Sequence, residues 1–238
     1  MKTFVILAIV AGSLLVSGCV FVKIKDHGVT TRSGVKVAGN GVIQEKTFEV
    51  GEFSRIALNV PADVTYSKSG GCSLSVSMDE NLFEYLTVSV EDGTLKVGSK
   101  GVSLRHFKKL AMTVTSPTLE QLDCNGAVDF ESVGPVCGEE FVMNSNGAAD
   151  VTIGKLEAKA AVFEVNGAAD LDIHVEDAAS VTLRISGAGD AKLSGKTQDI
   201  NVTVSGAGDV DLTRLAYENL SKHISGMGSV KTPQKSSL

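Results

Sequence analysis

The 238-residue chain contains no tryptophan, and all its aromatic residues together make up 5% of it. Glycine, by contrast, occurs 25 times. A composition so poor in rings and rich in glycine and valine suits narrow, regularly stacked strands better than the core of a globular enzyme. Neither sign of charge dominates: 22 basic residues stand against 28 acidic ones, a net charge of −6. That balance fits a soluble surface and argues against a nucleic-acid partner. Long apolar runs are also missing, apart from one at the N-terminus, so no second stretch is suited to crossing a membrane. Amphipathic helices are scarce, with one or two turns expected near Glu80–Tyr85 and Leu215–Leu220. No GxSxG elbow is present. None of His27, His106, His174 and His223 stands at metal-ligand spacing from another His, Cys or Asp.

The N-terminal run has a specific pattern. Lys2 precedes an apolar stretch from Phe4 to Val16, followed by Ser17, Gly18 and Cys19. This is a charged n-region and an h-region of signal-peptide length. Val16-Ser17-Gly18-Cys19 resembles a bacterial lipobox, which implies cleavage before Cys19 and acylation (palmitate or a related chain) at that cysteine. Val20 rather than Asp follows it, which by the sorting rule for such lipoproteins implies outer-membrane delivery in a Gram-negative host. Removing residues 1–18 takes away Lys2 and no acid, so the mature net charge becomes −7. The expected organisation is a signal peptide over 1–18, a lipidated cysteine and tether over 19–41, one domain over 42–232 and a polar tail over 233–238.

That domain is dominated by a repeat. Gly126, Gly147, Gly167, Gly187, Gly206 and Gly226 open successive copies of Asn/Ser-Gly-x-x-Asp about 20 residues apart. A fixed period of this length marks one unit stacked on copies of itself. Aligned on the turn, the copies show columns of apolar residues: Met143, Phe163, Leu183 and Val202 before it, and Val151, Leu171 and Val210 after it. Alternation of period two on both sides of the turn predicts strands. Stacking them gives an all-β, single-stranded β-solenoid with coils of about 20 residues, each advancing by one strand spacing of roughly 4.8 Å. The upstream half carries an echo, since Ala62-Asp63-Val64-Thr65 repeats Ala149-Asp150-Val151-Thr152. Asp63 is therefore read as the turn of an earlier coil, with less regular or longer coils between it and Asp129. The last copy departs from the pattern, with Met227 and Ser229 in place of Ala and Asp and Lys222 in an apolar column, as expected of a terminal repeat.

The turn is read first as a corner, because Asn and Gly tolerate positive φ and Asp caps backbone N–H groups. The repeated carboxylates Asp129, Asp150, Asp170, Asp190 and Asp209 are the candidates for contact with a cation. Stacked one coil apart, two unit charges about 5 Å apart repel by about 0.8 kcal/mol in water. Backbone donors, splay into solvent or a cation must offset that repulsion. Calcium takes oxygen ligands, but the spacing differs from the nonapeptide calcium roll, so no metal site is assigned. Gly195-Lys196-Thr197 lacks the upstream glycine of a phosphate loop and is read as a turn between strands. Cys72 and Cys124 fall on apolar columns as buried thiols. Cys124 and Cys137 are the pair open to bridging, although the odd count leaves at least one thiol free.

The SGAGD and NGAAD turns occur with an upstream stretch from Phe53 to Val64, with Asp79-Glu80-Asn81-Leu82, and with Val90-Glu91-Asp92-Gly93-Thr94-Leu95-Lys96-Val97. In that order and spacing the chain, from about Phe48 to Val230, resembles the bacterial putative auto-transporter adhesin head domains called GIN domains. The resemblance implies a pectin-lyase-like, right-handed β-helix, secreted or lipid-anchored, with no assigned catalytic residue and no cofactor. The residues themselves do not fix the hand. The expected function is a lipid-anchored envelope solenoid that presents a surface to a protein or glycan, without catalysis. The alternatives are a carbohydrate-active enzyme of the same shape and an envelope scaffold or signalling accessory. The sequence leaves the oligomeric state open.

Overall fold

The computed structural model describes residues 35–108 and 110–233. The lipobox and Cys19 lie outside the described residues, as do positions 234–238 of the polar tail. The chain forms β1 (Val35–Ala38), β2 (Ile43–Phe48), β3 (Arg55–Leu58), β4 (Ala62–Lys68) and β5 (Ser73–Asp79). A 3-10 helix, Glu80–Tyr85, leads into β6 (Leu86–Glu91), β7 (Thr94–Ser99), β8 (Val102–Arg105) and β9 (Leu110–Ser116). The repeat region supplies β10 (Gln121–Cys124), β11 (Ala127–Ser132), β12 (Val136–Cys137), β13 (Glu140–Ser145), β14 (Ala148–Glu157) and β15 (Ala160–Val165). Four strands complete it: β16 (Ala168–Ile185), β17 (Ala191–Val204), β18 (Ala207–Ile224) and β19 (Met227–Lys231). The result is a β-solenoid of about six turns with coils of about 20 residues.

Each coil has three faces. In one coil, residues 148–153 form one face, Leu156 and Glu157 a short second face, and residues 160–165 the third. A register shift between Ile153 and Leu156, repeated between Val175 and Ala178, turns the chain between the first two faces. The Asn/Ser-Gly motif turns it between the third face and the next coil. Alternation then sends every second side chain inward. One core ladder runs through Leu95, Ile56, Leu122, Met143, Phe163, Leu183 and Val202, all fully or almost fully buried. A second runs through Met112, Val64, Phe130, Val151, Leu171, Ala191 and Val210. The few rings pack on one another inside: Tyr66 on Phe130 at 6.2 Å and Phe141 on Phe163 at 6.0 Å between centroids.

Asp63 stands where its echo places it, in register with Asp129. The path between them differs from the expected run of irregular coils. The coil containing β3 and β4 pairs on one side directly with β10 and β11, and on the other with β7 and β9. Residues 73–116 leave the stack, form antiparallel pairs β2–β5, β5–β9 and β6–β7, and return one coil to the outside. The reason is local: period-two alternation marks a strand but does not reveal its partner. Two further expectations change. The segment near Leu215–Leu220 is part of β18 and not a helix, whereas Glu80–Tyr85 is the expected short helix. Val35–Ala38, within the expected tether, is a strand paired with β8.

The glycine column is explained by space. The six motif glycines have no left-handed backbone. A Cβ on Gly187 would lie 1.8 Å from the carbonyl oxygen of Gly167, and one on Gly167 would lie 1.9 Å from that of Gly147. Gly206 and Gly226 meet the same obstacle one coil below. Backbone stands directly on backbone here, so no side chain fits without prising coils apart.

The stack ends at an incomplete coil. Among the described residues, β19 pairs only with β18, and Asn219–Ile224 pair only with β17. Ile224 is 38% exposed. At this edge the first core ladder stops at Lys222, paired with Val202. An ammonium over an apolar ladder disfavours the addition of another strand. Two outcomes follow. Gly187→Ala should destabilise the fold by about 3 kcal/mol through overpacking, while Gly154→Ala, whose Cβ meets nothing within 4 Å, should stay within about 0.5 kcal/mol; denaturant melts of both compare them. Lys222→Leu should produce concentration-dependent self-association in sedimentation velocity, and a parent-like sedimentation profile at every concentration would show that the lysine does not guard the edge.

Candidate ligand-binding surfaces

The acidic column forms on one outer face. Asp63, Asp129, Asp150 and Asp170 stand in register on β4, β11, β14 and β16. Asp190 and Asp209 continue it, and Ser229 closes it. All these aspartates are exposed. From Asp170 onward the carboxylates are bound to the next coil. Asp190 N–H donates to Asp170 Oδ1 at 3.1 Å, Asp209 N–H to Asp190 Oδ1 at 2.9 Å, and Ser229 N–H to Asp209 Oδ1 at 3.0 Å. The Ser229 hydroxyl adds a second bond at 2.7 Å. The carboxylate thus caps an amide one coil away instead of one in its own turn. Backbone donors offset the mutual repulsion of these aspartates. Among the described residues, Asp129 and Asp150, like Asp63, have no such bond, and all three are exposed. A shallow cavity of about 300 Å³ beside Asp150, Asp170 and Asp190 also holds Asp172 and Lys192. Among the described residues, no cluster of three or more His, Cys, Asp or Glu side chains is arranged to hold a metal ion.

The Asn half of the corner builds its own ladder. Asn125 Nδ2 donates to Asn59 Oδ1 at 3.1 Å, Asn146 to Asn125 at 3.0 Å, and Asn166 to Asn146 at 3.2 Å. An amide carries both donor and acceptor, so identical residues one coil apart satisfy each other. Serine replaces it from Ser186 onward. The sequence reading missed Asn59, whose signal was the Asn59-Val60-Pro61-Ala62-Asp63 segment in line with Asn146-Gly147-Ala148-Ala149-Asp150. The space above it is tight: a Cβ on Gly126 would lie 2.6 Å from Val60 O.

The short face carries a polar chain. Lys68 Nζ donates to Cys137 Sγ at 3.1 Å, and Cys137 donates to Glu157 Oε2 at 3.0 Å. Lys155 pairs with Glu157 at 2.7 Å, and His174 Nδ1 lies 3.0 Å from Ser194 Oγ. Cys72, Cys124 and Cys137 are free thiols, so the Cys124–Cys137 bridge does not form. Burial pushes the Cys124 thiol up to about 12, which leaves it inert. Burial, and then Glu157, also raise the Cys137 thiol. Cys72 is only half-buried rather than a full member of a core column. Gly195-Lys196-Thr197 lies in β17 at a corner. Gly195 has φ +99 and sits against Val175 O, and buried Thr197 donates to Asp199 O at 3.0 Å. None of this forms a phosphate cradle.

A concavity lies in the N-terminal unit, where sequence reading placed no site. It measures about 660 Å³ and runs between residues 46–51 and β6, beside the 3-10 helix. Its walls are Phe48, Val50, Phe83, Leu86, Val88 and Val90. Its residues come from β2 and the segment after it, the 3-10 helix, β6 and Lys100, which is why no local pattern announced it.

The acidic column yields one measurable consequence. The Ser229 hydroxyl, aided by its N–H, holds the Asp209 carboxyl below its ordinary value. A lowered carboxyl stabilises the fold above the unfolded value, about 3.9, and loses that contribution as pH falls through the folded value. Asp209→Asn should therefore melt below the parent near pH 7, with the two curves converging as pH falls through the lowered folded value of the carboxyl. Thermal melts across that range check it.

Comparison with known proteins places this geometry. The most similar solved structures include a putative adhesin from Bacteroides fragilis, with a TM-score of 0.66 and 20% identity over 82% of this chain and 99% of that one. A putative adhesin from Parabacteroides distasonis gives 0.64 and 21% over 83% and 99%. A putative lipid binding protein from the same species gives 0.52 and 21% over 83% and 99%. At such identities the likeness shows the fold. A search of curated proteins gives no match. The family model described as putative auto-transporter adhesin, head GIN domain, matches residues 52–238. The chain belongs to that family.

Proposed function

We propose that this protein is a lipid-anchored β-solenoid of the bacterial cell envelope that presents its outer faces to a protein or glycan and performs no catalysis. The observation that carries the reading is the joining of Val16-Ser17-Gly18-Cys19 to a domain of the adhesin-type family. The outer side chains support it. Several of their polar groups bond to the same position one coil away, as in the asparagine ladder, the Asp170–Asp209 bonds and Arg184–Glu164 at 2.8 Å. Groups held in ladders make a rigid, repetitive surface suited to recognition. General acid–base chemistry, by contrast, needs titratable groups that converge on one point. In a Gram-negative host the residue after Cys19 directs the protein to the outer membrane.

A second reading, an envelope scaffold or signalling accessory, shares the anchor and differs in having one dedicated partner. Cys19→Ala should move the protein from the membrane fraction to the soluble fraction, and unchanged fractionation would sink the anchor. Pull-down from intact envelopes with the soluble domain separates the two readings. Broad capture of surface protein or glycan supports adhesion, and one stoichiometric partner supports the scaffold. Turnover of any member of a polysaccharide panel would overturn the non-catalytic reading.

A further inference from the structure

The apolar groove lies between two unfinished strand edges. Among the described residues, β2 is hydrogen-bonded only to β5, and β6 only to β7. Residues of both line the groove. It narrows at one end, where a Cβ on Gly51 would lie 4.0 Å from Val90 Cγ1. At the other end Lys46 Nζ sits 4.3 Å from the Phe83 ring centroid, and Lys100 Nζ donates to Glu84 O at 2.6 Å. Glu49, Glu80 and Glu84 lie along it. Apolar walls, open backbone edges and a rim of three glutamates against two lysines suit an extended segment with apolar side chains inward and basic ones toward the glutamates.

The chain itself carries such a segment. In Val20-Phe21-Val22-Lys23-Ile24-Lys25, Val20, Val22 and Ile24 alternate with Phe21, Lys23 and Lys25. Six residues match the six of β6, about 20 Å of strand. The chain reaches β1 at Val35, whose register partner Val102 lies two residues beyond Lys100 at the groove's wide end. The nine residues between Lys25 and Val35 span up to about 30 Å.

We propose that residues 20–25 of this chain fill the groove as an added strand, with Val20, Val22 and Ile24 inward and Lys23 and Lys25 facing the glutamates. The inference is independent of whether Cys19 carries a lipid. It makes the groove an intramolecular dock that holds the domain's N-terminal unit close to residue 19.

Hydrogen exchange on the chain from residue 19 onward tests it, comparing the parent with a Val22→Asp, Ile24→Asp double variant. The parent should protect amides of β2 and β6, and the variant should exchange them at least tenfold faster while β14–β16 amides stay unchanged. The β14–β16 amides belong to the stacked repeats, so they report that the fold is intact. A synthetic peptide of residues 20–26 should restore protection to the variant. Equal exchange in parent and variant, whether fast or slow, overturns the proposal. Protection that fades on dilution also overturns it, since the strand would then come from a second copy.

Discussion

The distance between parallel strands, about 4.8 Å, governs this molecule. Every coil lies one such step from the next, and nothing thicker than backbone fits at the corner. The glycine column exists because a carbonyl oxygen sits where a Cβ would go. The asparagine ladder exists because that same step brings like amides within hydrogen-bonding distance. The core ladders exist because alternation carries one side chain per step inward, and the small volume per step explains the near absence of large rings.

The same spacing makes the outer surface a set of columns. Like residues fall beside like, which would destabilise a run of aspartates. The structure resolves that conflict in two ways. Where the following coil has glycine just before the aspartate position, as at Gly189, Gly208 and Gly228, the carboxylate takes that coil's amide. Where the following coil has alanine there, as at Ala149 and Ala169, the backbone ladder continues and Asp129 and Asp150 turn to solvent. Glycine for alanine in the neighbouring coil thus accompanies a switch between two electrostatic solutions.

Much of the C-terminal half was legible in the sequence because its information is periodic. The ladder Met143–Phe163–Leu183–Val202 follows from counting back from the turn, and Asp63 was placed from four letters. The N-terminal unit was not legible in this way. Strands β5, β6 and β7 alternate as clearly as any other, but antiparallel pairing leaves no repeat to align, so their partners stayed hidden. Gly187 was recognised as special for the wrong reason: the pattern showed that glycine was required there, while only the neighbouring coil shows that the requirement is space and not backbone angle. The apolar groove escaped for a third reason, since Phe48, Phe83 and Val88 belong to different elements and meet only in three dimensions.

The position of β3 and β4 has a kinetic side. This coil precedes both its neighbours in the chain, yet lies between them. Its strands find one flank only when residues 94–116 have been placed, and the other only when residues 121–132 follow. The repeats behind it need nothing but the preceding coil, so each closes a loop of about 20 residues, whereas the pairing of β4 with β11 closes a loop of about three times that length and carries a correspondingly larger entropy cost. Assembly of the stack therefore has a slow step at its N-terminal unit and rapid, sequential addition beyond it.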